Sequence, residues 1–282
     1  MTLVVVVVGV SVSSLGHALT RNLQHLQKLH RIEVSDARRP CWASRADGRL
    51  SGPYIGAIAP DAAVARFFRG CAAYAAGNTS EAVGEWRAAG AEPFFLVSGF
   101  SYVKRGDHKQ ALGQYQVAAL INPSSVEAWT GVTAAQMNLA TTAEVPWADM
   151  LEAAQRLVAL APEDPQAHYL LGYALWLSRR DPRDAERELR WVFERRRGGD
   201  EAYGLGRMIL DEGRATDAMP LLEYAAARLE NPEVHAVLMQ AYVALGRCDD
   251  GRAVYRAVLS RAPDQRTRLR QVCRSYPACP CE

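Results

Sequence analysis

The stretch Glu92–Ser125, EPFFLVSGFSYVKRGDHKQALGQYQVAALINPSS, decides the fold. Gly99 and Tyr102 sit within a first helix, Gly106 and Asp107 turn the chain, Ala111, Tyr115 and Ala118 lie along a second helix, and Pro123 ends it. The pattern returns at a period of about 34 residues from Ala63 to Pro263. Upstream, Gly70, Gly77, Asn78, Ala82 and Trp86 form a first copy. A third copy opens at Trp129, lengthens its turn across Thr141 to Pro146, and continues through Ala153 and Leu157 to Pro165. His168, Leu171 and Gly172 begin a fourth. Gly206, Gly213, Ala218 and Leu222 mark the fifth, and Leu238, Tyr242, Gly246, Tyr255 and Pro263 the sixth.

Residue size explains the pattern. Gly99, Gly172 and Gly206 let a paired helix approach from one side, and Ala82, Ala111 and Ala218 from the other. Trp86, Tyr115, Leu222 and Tyr255 then plug the layer between copies, and Gly77, Gly106, Gly213 and Gly246 leave the first helix in a conformation that favours glycine. A hairpin of this kind buries its apolar side only by stacking on the next. These residues together resemble the tetratricopeptide-repeat (TPR) family over about two hundred residues. The resemblance implies an all-α superhelix of about six helix-turn-helix repeats over 63–265, closed by a basic cap helix and a cysteine-rich tail over 266–282.

Residues 1–34 read differently. Thr2 to Leu19 carries no charge apart from His17, and as a helix it would span about 27 Å, near the thickness of a bilayer core. We read it as a single transmembrane anchor. A cleaved signal peptide, suggested by the small residues Gly16 and Ala18, and a buried structural segment are the alternatives. Leu19, Leu23, Leu26, Leu29 and Ile32 continue at helical spacing, interleaved with Arg21, Lys28 and Arg31, as an amphipathic juxtamembrane helix. Residues 35–62 form an irregular linker rich in glycine and proline. The basic flank after the apolar segment puts the repeats on the cytoplasmic side by the positive-inside tendency.

The 282 residues are 49% hydrophobic and hold 33 Lys plus Arg against 31 Asp plus Glu, so no global field favours nucleic acid. The arginines between Arg179 and Arg197 alternate with acids at helical spacing, the pattern of a solvated outer face. Of six cysteines, Cys248, Cys273, Cys279 and Cys281 are candidates for disulfides. Their C-x-C spacing lacks the paired C-x-x-C of a zinc site, and no metal or cofactor is expected. His108, His168 and His235 fall in repeat positions that the solenoid explains, and no catalytic constellation emerges.

In TPR proteins the first helices line the concave groove. The resemblance therefore implies partner-binding roles for Phe67, Cys71 and Tyr74, for Leu96, Phe100, Val103 and Lys104, for Tyr169, Tyr173 and Trp176, and for Tyr203, Arg207 and Asp211. The family's grip on a terminal carboxylate through Lys, Asn and Arg is absent apart from Lys104. An aromatic groove instead suits an apolar segment of a protein partner, with Phe100, Tyr173, Trp176 and Tyr203 facing that partner rather than the core. No small-molecule substrate is expected. The function implied is a non-enzymatic, membrane-tethered interaction scaffold or assembly factor. The alternatives are a constitutive accessory subunit of a larger membrane complex, which would comigrate with it in mild detergent, and the accessory region of an enzyme system. Six repeats also resemble the pilotins of type IV pili, from which the chain departs because no lipobox precedes Cys41.

Overall fold

The computed structural model describes residues 62–141, 146–179 and 181–279. The anchor, the juxtamembrane helix and the linker up to residue 61 lie outside them, as does Cys281. Ala62, assigned above to the linker, already belongs to the first helix. The described residues form thirteen α-helices and no strand. They divide into two compact units between Ala161 and Pro162.

The first unit contains three hairpins. These are α1 (Ala62–Ala75) with α2 (Thr79–Ala88), α3 (Glu92–Val103) with α4 (His108–Ile121), and α5 (Val126–Thr141) with α6 (Trp147–Leu160). α1 packs on α2, α3 on α4, α4 on α5 and α5 on α6, while α3 also packs on α5 and α2 on α4. This is the nearest-neighbour stacking expected when a hairpin cannot bury its own apolar side. Tyr115 shows how the layer is sealed. Its ring, 3% exposed, is wedged between two flanking first helices, where a Cβ on Gly99 would fall 2.8 Å from it and one on Gly131 2.4 Å. Only glycine fits at either place without displacing the ring. Trp86 fills the same layer one repeat earlier, and its Nε1 donates to the Phe67 carbonyl at 3.2 Å. Arg87 then ties two repeats together by donating from Nε to the Ile121 carbonyl and from Nη2 to that of Leu120, occupying acceptors that the end of α4 leaves open.

The second unit repeats the scheme with α7 (Pro165–Ser178) and α8 (Pro182–Arg196), α9 (Gly199–Asp211) and α10 (Ala215–Ala226), and α11 (Pro232–Ala244) and α12 (Cys248–Arg261). A short 3₁₀ turn (Pro263–Gln265) leads into the cap helix α13 (Arg266–Ser275). Local chemistry sets these boundaries. The side chains of Asp164, Asp181 and Asn231 accept from backbone N–H groups of the first turns of α7, α8 and α11, and proline follows each at the first helical position, where its missing donor costs nothing. At the other ends Gly77, Gly106, Gly213 and Gly246 adopt φ of +84°, +75°, +79° and +71°, the turn role read from the sequence. Arg179 takes this left-handed position without being glycine, at φ +53°.

Candidate partner-binding face

In the second unit the first helices α7, α9 and α11 lie side by side, α7 on α9 and α9 on α11. Side chains one helical turn apart on each therefore form a continuous face. On α7 the rings of Tyr169 and Tyr173 are 4.7 Å apart, and Trp176 meets Tyr173 edge-on at 5.3 Å. On α9 the Arg207 guanidinium donates to Asp211 at 3.2 Å and, across the repeat boundary, to Glu233 of α11 at 3.4 Å. The Tyr203 hydroxyl donates to that same Glu233 oxygen. Aromatic surface thus adjoins a charged network that spans two repeats, and the exposed Asp200 stands at the start of the same helix α9.

The expected residues separate on burial. Tyr169, Trp176, Tyr203 and Arg207 are half-buried and Asp211 is exposed, so all remain open to a partner. Tyr173 is not, because it is 1% exposed. A Cβ on Gly204 would fall 2.9 Å from its ring, so the tyrosine fills the space that this glycine leaves between α7 and α9. The expectation that Tyr173 faces a partner is corrected to a core role.

In the first unit, Phe67, Cys71 and Leu96 are likewise buried, at 8%, 1% and 6% exposure, and are corrected in the same way. Phe67 packs among Phe68, Phe94 and Phe95, and Cys71 is disulfide-bonded. Tyr74, Val103 and Lys104 are exposed and Phe100 is half-buried, with the Lys104 ammonium 4.9 Å above its ring. Reading by residue type missed Glu233, although it stands second in its helix just as Asp200 does.

Burial also sets the chemistry of the tyrosine pair. It raises the Tyr169 phenol well above its ordinary value, with the Tyr173 side chain adding to the effect. Tyr173 is pushed up to about 12, again chiefly by burial. Both rings are therefore neutral at physiological pH, and their hydroxyls hydrogen-bond one another. The folded-state value of Tyr173 lies above the unfolded value of about 10, so its contribution is intact below pH 10 and is lost as the pH rises toward 12. The melting temperature should hold to about pH 9.5 and fall through that window, with tyrosinate absorbance rising as the helices melt. Tyr173→Phe should make the fall shallower. A melting temperature that is flat to about pH 12 in the native protein would contradict this assignment.

His168 is occupied structurally. Its Nδ1 lies 2.6 Å from Glu188 and its Nε2 2.7 Å from the Pro162 carbonyl, and the ring stacks on Trp191 at 4.1 Å. The α8 arginines largely pair with nearby acids, Arg187 with Asp184 and Arg190 with Glu186. Among the described residues no group of three or more His, Cys, Asp or Glu side chains converges as a metal site, and no helix is long and apolar enough to cross a membrane. Cys248 and Cys279, two of the four candidate cysteines, are bonded to one another, and Cys273 is disulfide-bonded as well.

Residues 177–231 and 210–275 each match a tetratricopeptide-repeat family model. Residues 177–275 carry tetratricopeptide repeats. Among solved structures, this chain is similar to a thermophilic TPR protein of Thermus thermophilus, at 24% identity and a TM-score of 0.54 over 64% of this chain and 98% of that one. A TPR protein from Parabacteroides merdae is similar at 13% identity and a TM-score of 0.52, over 78% and 86% of the two chains. The APC/C hetero-tetramer Cut9–Hcn1 is similar at 15% identity and a TM-score of 0.56, over 91% of this chain and 52% of that one. At these identities the likeness concerns the fold alone. No curated protein matches the sequence. TPR repeats typically bind protein partners.

Proposed function

We propose that this chain is a non-enzymatic scaffold that holds a protein segment against the face formed by α7, α9 and α11. The observation that carries the reading is the junction of half-buried aromatic surface, Tyr169, Trp176 and Tyr203, with the Arg207–Asp211–Glu233 network. Rings give large contact area at low entropic cost, and the adjoining charges fix register. Residues 2–19 supply the membrane tether in this reading, on the strength of their length and apolar composition.

The side of the membrane is a balance of two effects. The basic flank Arg21 to Arg39 favours the cytoplasmic side, whereas disulfides at Cys71, Cys248, Cys273 and Cys279 favour an oxidising compartment. We give the disulfides more weight, because a reducing cytosol opposes every one of them, while the charge bias is set by a handful of residues.

Photo-crosslinking tests the binding face. A benzophenone side chain at position 176 or 203 should form an adduct with one partner in solubilised membranes, and the same group at position 190, on the exposed side of α8, should not. An adduct from 190 alone would overturn the assignment of the face.

A further inference from the structure

The end of the second unit is closed by a helix whose own packing is slight. α13, RTRLRQVCRS, has ten residues, fewer than an isolated helix needs to persist in water. Leu269 is its one fully buried side chain among those described, Val272 and Cys273 are partly buried, and Arg266, Arg270, Gln271 and Arg274 are exposed. Beneath it lies an apolar surface built by α11 and α12: Ala236, Met239, Val243, Tyr255 and Val258. In an ordinary stack this surface would receive the first helix of another repeat. Cys279 also packs into it: it is 2% exposed, lies beside the Val243 carbonyl at 3.9 Å, and is bonded to Cys248 at the start of α12 with Cα atoms 5.0 Å apart. The bond joins residues 31 apart in sequence and closes a loop that includes the whole cap helix.

We infer that the C-terminal cap is a redox-controlled latch: the Cys248–Cys279 disulfide holds α13 over the end of the second unit, and its reduction releases the cap and uncovers Met239, Val243, Tyr255 and Val258. The cross-link restricts the freedom of the detached tail, which is the quantity that the small apolar contact of α13 cannot offset alone. Opening needs a two-electron reductant of the dithiol class. The reductant's two thiols become a disulfide as the two cysteine sulfurs become thiols, its two protons passing to them.

The test uses the full chain and trypsin, because arginines stud the cap. In the oxidised protein, cleavage after Arg266, Arg270 and Arg274 should be slow. In Cys248→Ala/Cys279→Ala it should be at least tenfold faster, while cleavage within 165–244 is unchanged. Should the double variant fail to fold, Cys279→Ser, which breaks the same bond and leaves Cys273 untouched, gives the same comparison. Cap cleavage within twofold of the native rate in the double variant, or in Cys279→Ser used in its place, overturns the latch. So does acceleration that appears in the double variant only after dithiol is added, because the controlling bond would then be that of Cys273.

Discussion

Tyr173→Ala should destabilise the second unit by about 3–5 kcal/mol, the range for removing a large ring from a core. The ring is 1% exposed and occupies the approach that Gly204 leaves open between α7 and α9, so its removal leaves a cavity between the two helices. The variant also strips Tyr169 of its hydroxyl partner. In denaturant unfolding of the full chain the midpoint should fall, and amide exchange in 165–226 should accelerate more than in 92–160. Trp176→Ala, three residues away on the same helix but half-buried, should cost less than about 2 kcal/mol because solvent already reaches part of its ring. Equal losses for the two variants would place both rings in one environment and defeat the distinction between core and face.

Trp86→Ala should be the most damaging single truncation in the first unit, at about 4 kcal/mol or more. Two effects add. The substitution empties the layer where the indole meets Phe95 at 4.9 Å and Tyr74 at 5.6 Å, and it leaves the Phe67 carbonyl without the donor it now has at 3.2 Å. Trp86→Phe should recover roughly half of the loss, restoring ring volume but not the hydrogen bond. Because α1 and α2 pack chiefly on each other, exchange protection should be lost first across 62–88 while 108–160 stays protected. Uniform loss over the whole chain would contradict the nearest-neighbour account of this solenoid.

The repeat was legible because its packing uses extremes of size. Tyr115 requires Gly99 on one side and Gly131 on the other, and the turns require φ values that favour glycine at Gly106 and Gly213. Such demands leave a mark on single residues. The face was less legible. Tyr173 and Trp176 are both aromatic, three residues apart on one helix, and only the second stays partly open. What separates them is Gly204, on the neighbouring first helix and a full repeat away in sequence, so helical periodicity within α7 cannot reveal it. Cys71 shows the same limit, since its register suggested groove lining, whereas it is disulfide-bonded in the core of the first unit. Cys248 and Cys279 were both candidates by composition. Their pairing follows from the route of the chain through α13, which brings residues 31 apart in sequence to a Cα separation of 5.0 Å.

The most direct measurement of the central claim is the affinity of the crosslinked partner, once identified, for Trp176→Ala/Arg207→Gln relative to the native protein, taken with far-ultraviolet circular dichroism and the melting temperature of the same samples. The account predicts binding weaker by roughly 2–4 kcal/mol with helicity retained, as expected when anchors on a surface are removed. Unchanged affinity in a folded variant would contradict it.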